Sequence, residues 1–406
     1  MQKFEKHSPV VVTEVTTKHE LRQFMQYPNR LYADNPNYIP SFYGDDLSDW
    51  TPGKNPAFDY CEARCWLARR DGEIVGRIGA ILSHKANDKF GTHRMRFSQV
   101  DFVDDSEVSA ALFGTVERWA REKGCDQVHG PLGFTDMDRE GMLVEGFDRR
   151  SLFFTNYNAP YYLEHLTRLG YRKDVDWIEY RIAVPEPGGT EAERLHKLSQ
   201  YILKRKNLHV ATLHHKSEYG PYVRQVFELI NAAYAPLYGV VELSDEQIER
   251  YANKFIPLVD PDFVCFVVDE QDQLVAFGVT ALDPSVALKH SDGRLFPFGW
   301  AGVLNDLHHG DTLIMLLTAV RPDLQTEGIN AVMMDHVCQS CNRHGVRFAE
   351  TGPMLELNDH ILAQWKRLEK EQHKRRRCFI KDLDHDVNAA NAAAAQTETP
   401  ETESAE

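Results

Sequence analysis

The chain repeats itself, and a repeat limits the possible folds more sharply than any single motif does. Asp71-Gly72-Glu73-Ile74-Val75-Gly76 answers Gln271-Asp272-Gln273-Leu274-Val275-Ala276, each reading as a tight turn and the second strand of a hairpin. Lys123-Gly124-Cys125-Asp126-Gln127-Val128-His129-Gly130-Pro131 answers His344-Gly345-Val346-Arg347-Phe348-Ala349-Glu350-Thr351-Gly352-Pro353, with one residue inserted. The order around both is the same: strand, hairpin pair, strand, helix, strand, helix, final strand. This implies a duplicated α/β (α+β) chain whose two units are each a mixed, mostly antiparallel sheet flanked by helices. The cluster Pro185-Glu186-Pro187-Gly188-Gly189 is the expected boundary. The expected division is a first unit over 1–185, a linker and helix over 186–207, a second unit over 208–383 and a disordered acidic tail over 384–406.

Inside the second unit, Leu313-Ile314-Met315-Leu316-Leu317 reads as a buried central strand, stopped by Arg321-Pro322-Asp323. Gly328 follows, and Ile329, Val332, Met333, Asp335, His336 and Val337 begin an amphipathic helix. A buried strand, a short polar loop and a helix N-terminus form a device for holding an anion, because free amides and the helix dipole point into the loop. The first unit lacks it. Asp101, Asp104 and Asp105 precede, and Glu107 opens, a helix expected over Ser106–Glu122, capped by Ser106, and these acids would repel a phosphate.

A net charge of −15 argues against nucleic acid as a partner. The seven cysteines form no spaced metal set, and Cys338-x-x-Cys341 falls within the expected helix, so no metal site is assigned. No window is apolar enough to span a bilayer and no signal peptide is evident, which points to a soluble, cytoplasmic protein. Tyr32, Tyr38, Phe42, Tyr43 and Trp50 read as a strap over the first unit. Lys366, Arg367, Lys370, Lys374, Arg375, Arg376 and Arg377 read as a positive patch at the end of a helix over Asn358–Lys370. Such a patch suits adenosine phosphates or peripheral contact with an anionic membrane.

The first unit's long stretch from His129 to Asp148 is the candidate acceptor site. Asp136, Asp138, Glu140 and Glu145 can line a pocket for a cationic amine, with one of them removing its proton. Tyr157, in Tyr157-Asn158-Ala159-Pro160-Tyr161-Tyr162, completes the candidate catalytic set. The structural alternative is that the acids cap helices or pair with Arg139, Arg149 and Arg150.

The element order, together with Val320-Arg321-Pro322 and Gln325-Thr326-Glu327-Gly328-Ile329-Asn330-Ala331, resembles the GNAT acyltransferase superfamily, over roughly 60–185 and 208–383. The chain would then be two tandem GNAT-like units. In that family the fourth strand enters a loop of the form Q/R-x-x-G-x-G/A, whose amides hold the pyrophosphate of an acyl-coenzyme A. The fourth and fifth strands splay around its pantetheine. The resemblance implies Thr318, Ala319 and Val320 beside the thioester, and Gln325, Thr326, Glu327, Gly328, Ile329, Asn330 and Ala331 around the phosphates. Asn330 stands where Gly or Ala is usual, with Ala331 one place on. Trp365 and His165 fall where many members carry a catalytic tyrosine. The pattern from Gly130 to Trp177 is similar to bacterial tandem GNAT proteins, which include N-acyltransferases of long-chain amines such as bacterial ceramide synthases. The resemblance thus implies transfer from acyl-CoA, a co-substrate and not a permanent cofactor, to a primary amine, a long-chain amine included. Competing readings are an aminoacyl-tRNA-dependent transferase and a non-catalytic ligand sensor.

Overall fold

A computed structural model describes residues 8–383; the tail expected to be disordered lies outside the described residues. The first half runs β1 (Val11–Glu14), α1 (Lys18–Leu31), α2 (Tyr43–Asp49), β2 (Cys61–Arg70), β3 (Glu73–Ser83), α3 (His84–Phe90) and β4 (Arg94–Phe102). It continues through α4 (Ser106–Glu122), β5 (Gln127–Gly130), β6 (Met142–Glu145), α5 (Tyr162–Arg168) and β7 (Arg172–Ala183). The second half runs α6 (Thr190–Lys206), β8 (His209–Val210), α7 (Gly220–Tyr234), α8 (Asp245–Phe255), β9 (Val264–Val268), β10 (Leu274–Leu282), α9 (Ser285–His290) and α10 (Gly299–His309). It closes with β11 (Thr312–Val320), α11 (Asn330–His344), β12 (Phe348–Glu350), β13 (Met354–Leu355), α12 (Asp359–Ala363) and β14 (Lys370–Asp382).

The hairpins form where the repeat places them. Asp71 and Gly72 both take positive φ (52° and 85°), the twist a two-residue hairpin turn requires, and Asp272 does the same at 57°. In both halves a parallel pair follows, β4 with β5 and β11 with β12. Helix α4 lays Val108, Leu112, Phe113, Val116 and Trp119 on one sheet face, and α11 lays Val332, Met333 and Cys338 on the other half's. The cap of α4 is Asp105, whose carboxylate accepts from the Glu107 amide at 2.8 Å, one residue before the expected Ser106. The strap residues Tyr32, Phe42 and Trp50 are buried, and Trp50 packs where a β-carbon at Gly79 would stand.

One sheet runs through the molecule in the order β1-β2-β3-β4-β5-β14-β7-β12-β11-β10-β9-β8. Each half therefore sends its final strand across. β14 pairs with β5, Phe379 opposite Gly130, while β7 pairs with β12, Ala183 opposite Phe348. The crossed strands pair with each other from Lys370–Ile182 to Ile380–Arg172. The repeat assigned each half its own last strand; the sheet exchanges them.

This crossing also corrects the reading of the basic run. The helix expected over Asn358–Lys370 is only the short α12, and from Lys370 onward the basic run lies in the strand β14. Lys374 and Arg376 are fully buried at the centre of the sheet. Arg376 donates to Glu179 at 2.5 Å and to Thr155 at 2.9 Å, and Lys374 stands 3.3 Å from both Glu179 and Glu350. Arg375 and Arg377 both grip Asp176. Lys374, Arg375, Arg376 and Arg377 are thus counter-charges within the sheet and not a free surface for phosphates or membrane, whereas Lys366 and Arg367 stay exposed before the strand. A charge removed from water is kept only when paired. Burial alone would raise the Glu179 carboxyl, but the Arg376 and Lys374 charges override it and hold it at about 2.

Candidate active site

On one edge β11 pairs with β10 along its length, but on the other it meets β12 only from Thr312 to Ile314. Beyond Ile314 the two parallel strands part, so Met315–Val320 present an edge without a partner strand. Val279 faces Leu317 and Thr280 faces Met315, which leaves Leu316 as an extra residue. That is a β-bulge, and it turns Leu316 and Leu317 toward one core while Met315 joins the other. The gap is an apolar cleft open to solvent, walled by Ile182, Met315, Leu317, Met333, Met334 and Trp365. Tyr234 stands at its side and donates to the Thr318 carbonyl at 2.8 Å. Burial raises the Tyr234 phenol, and the Asp136 charge adds to this.

The cleft ends at the loop before α11. Leu324, Glu327 and Ala331 donate their amides to Arg321, Leu324 and Gly328, whereas the amides of Thr326, Gly328 and Ile329 make none of the loop's backbone bonds. Glu327 and Ala331 are the exceptions within the expected phosphate set: their amides are committed to Leu324 and Gly328, so they offer no donor there. Gly328 takes φ +79°, and a β-carbon on it would lie 3.2 Å from Ile202. Gln325 is exposed, its amide 3.4 Å from the Val320 carbonyl. Asn330 opens α11 and lines the cleft. Glu327 and Asp323 are answered by Lys206 (2.7 Å) and Arg321 (2.8 Å). Free amides, a helix start and an adjoining apolar slot suit a diphosphate carrying a long thiol arm.

The acidic stretch divides. Asp136, Asp138 and Glu140 lie together on the loop between β5 and β6. Met137 belongs to the apolar group that holds Leu316, Leu317 and Tyr234, so this first-half loop abuts the second half's bulge. Burial pushes the Asp136 carboxyl up to about 6, and its Oδ1 has no hydrogen-bond partner among the described residues. Glu140 is raised well above its ordinary value by burial and then by Asp136. Asp138 is also raised to about 6 by burial, with Asp49 adding to it, but it is occupied: it accepts from the Phe134 and Thr135 amides at 2.8 and 3.2 Å. Arg96 clamps the loop through the Gly133 carbonyl at 2.8 Å, and its charge partly offsets the rise at Asp136 and Glu140.

Glu145 and Tyr157 are not brought to this place. Glu145 is exposed and 3.3 Å from Arg375. Tyr157 is buried among Tyr32 and Tyr38, taking a bond from Asn35 at 2.6 Å and giving one to the Phe147 carbonyl at 3.3 Å. His165 bridges Ser109 (2.7 Å) and Asp104 (2.9 Å), and Trp365 donates to Met354 Sδ at 3.2 Å. The residue that sequence reasoning missed is Tyr234, at the end of an ordinary amphipathic helix with no local signal.

No protein-family model matches the chain. It is 27% identical to Protein YghO of Escherichia coli (strain K12) over 379 residues, 92% of this chain and 95% of that one. It is 28% identical to the bacterial ceramide synthase of Caulobacter vibrioides over 298 residues, 72% of this chain and 75% of that one. Among solved structures it superposes on a tandem GNAT protein from the clavulanic acid biosynthesis pathway with a TM-score of 0.53 at 13% identity, covering 93% of this chain and 99% of that one. Two parallel pairs, a bulged and splayed fourth strand before α11, and this superposition give one conclusion: the chain has the tandem GNAT fold.

Proposed function

We propose that the protein is an N-acyltransferase that takes its acyl group from an acyl-CoA lying in the β11–β12 cleft and passes it to a primary amine held over Asp136 and Glu140. The observation that carries the reading is the meeting of the two halves at one point: the unpaired edge and bulge of β11 against a loop of carboxyls near neutrality. The amine enters as an ammonium and loses a proton to the carboxylate of Asp136; its nitrogen then attacks the thioester carbon. Amides on the free edge of β11 face the developing oxyanion. As the C–S bond breaks, the second proton leaves the nitrogen to give the amide and passes to the departing thiolate by way of the Tyr234 phenol or of water. Trp365 has no proton suited to that step, whereas the Tyr234 phenol beside the cleft keeps its own. The similarity to the bacterial ceramide synthase supports a long-chain amine as the acceptor class and acyl transfer as the reaction.

The test is release of free thiol from a panel of acyl-CoAs of two to sixteen carbons, with long-chain and short primary amines. Amine-dependent thiol release supports the reading. Acyl-CoA binding without turnover on any amine would instead make the protein a sensor.

A further inference from the structure

We infer that the α9–α10 hairpin is a membrane-docking surface that seats the protein on a phospholipid bilayer. Of the ten large apolar side chains left exposed among the described residues, five lie in this hairpin: Val286, Phe296, Phe298, Trp300 and Leu304. Phe296 and Phe298 are each 81% exposed and Trp300 47%. Single exposed apolar residues are ordinary on a protein surface; a concentration of aromatic rings is not. From Leu295 to Leu304 the sequence LFPFGWAGVL carries no charge, in a chain that is 26% charged.

The rings are held outward by a closed loop. The Trp300 amide donates to the Leu295 carbonyl at 2.8 Å, and its indole N–H donates to Pro297 at 3.2 Å. Arg294 directly adjoins the uncharged run, its guanidinium 4.8 Å from the Tyr43 ring, and His308 and His309 are exposed at the end of α10. Asp283 and Asp306 are committed to Arg150 and to the Ala287 amide, each at 2.8 Å, which leaves Asp292 as the hairpin's one uncommitted acid. Phe and Trp at the tip with a cation beside them match the interface between lipid headgroups and acyl chains. A protein partner would call for a polar rim with directed hydrogen bonds, and the uncharged tip supplies none.

The hairpin is continuous with the candidate site. Its inner face, Leu288, Val303 and Leu307, packs in one cluster with Phe42, Phe153 and Ile314, and Leu316 of the bulge lies against the same cluster. An apolar molecule leaving the bilayer would thus meet an unbroken apolar wall leading to β11. The inference does not rest on acyl transfer, because its readout is binding.

Full-length protein is sedimented with vesicles of phosphatidylcholine, alone and mixed with phosphatidylglycerol. The wild type is expected to co-sediment with both, and more with the anionic mixture. The Phe296→Ser/Phe298→Ser double variant is expected to lose at least about tenfold in partition. Both side chains are exposed, so the fold, read by thermal melting, should be unchanged. On vesicle addition Trp300 emission should shift to the blue and be quenched by brominated acyl chains, and both signals should vanish in Trp300→Phe. A wild type that ignores both vesicles, or a double variant that binds as well as the wild type, overturns the inference. So does a wild-type dimer that the double variant dissolves, because the patch would then be a contact between copies.

Discussion

At the scale of single residues, Asp136 carries a measurable signature. Its carboxyl is raised to about 6 by burial, so the proton-accepting form is lost below that value. As general base it predicts a kcat/KM that climbs with pH through about 6 and then levels. Asp136→Asn should lower kcat/KM by roughly a hundredfold or more while acyl-CoA affinity holds, read by thiol release and calorimetry. The same substitution should stabilise the fold. A carboxyl raised in the native state favours folding only below its unfolded value of about 3.8; that stability is lost as pH rises through about 6. Asn at this position should therefore raise the unfolding free energy by ~2–3 kcal/mol at pH 7.5, a gain fading toward pH 4. A melting temperature that does not rise at neutral pH would remove the case for a strained carboxyl. Gly328 makes the complementary prediction for the other substrate. Gly328→Val forces a branched side chain to a φ of +79° beside Ile202, so CoA affinity should fall about tenfold or more. Unchanged affinity would detach the loop from phosphate binding.

At the scale of elements, β14 shows how a local pattern misleads. The run Lys374-Arg375-Arg376-Arg377 reads as surface because lone charges avoid interiors, yet its partners Glu179, Glu350 and Asp176 are far away in sequence. Arg376→Ala should cost ~3–5 kcal/mol by leaving Glu179 half-answered, whereas Lys366→Ala, on an exposed side chain, should be near neutral. Chemical denaturation of the two variants separates these outcomes. Elements built from neighbouring residues were legible. The Asp71-Gly72 turn, the strand ending at Arg321-Pro322 and the helix after Gly328 each follow from local conformational rules. The bulge at Leu316 was not, because an extra residue in one strand exists only relative to its partner. The nearness of Asp136 to Tyr234, and the separation of Glu145 and Tyr157 from Asp136, depend on how two distant segments meet, which no spacing records.

At the scale of the whole molecule, the repeat made two like halves legible, but not the traded strands. β7 and β14 occupy equivalent places in their halves, and nothing in a strand's own alternation names the neighbour it will take. The exchange predicts that a fragment ending near residue 189 does not fold alone, since β5 would lack β14 and β7 would have neither neighbour. Co-expression of residues 1–189 with 190–406 should restore a native-like complex, read by size-exclusion chromatography and circular dichroism. A stable, cooperatively unfolding first fragment would refute that view. The exchanged strands also bear on ancestry. Two separate subunits that had swapped their tails could each be altered or replaced by drawing on a fresh partner. Once both were written into one gene, that freedom ended: a lesion in either repeat unravels its sibling, so each half must be maintained as strictly as the other.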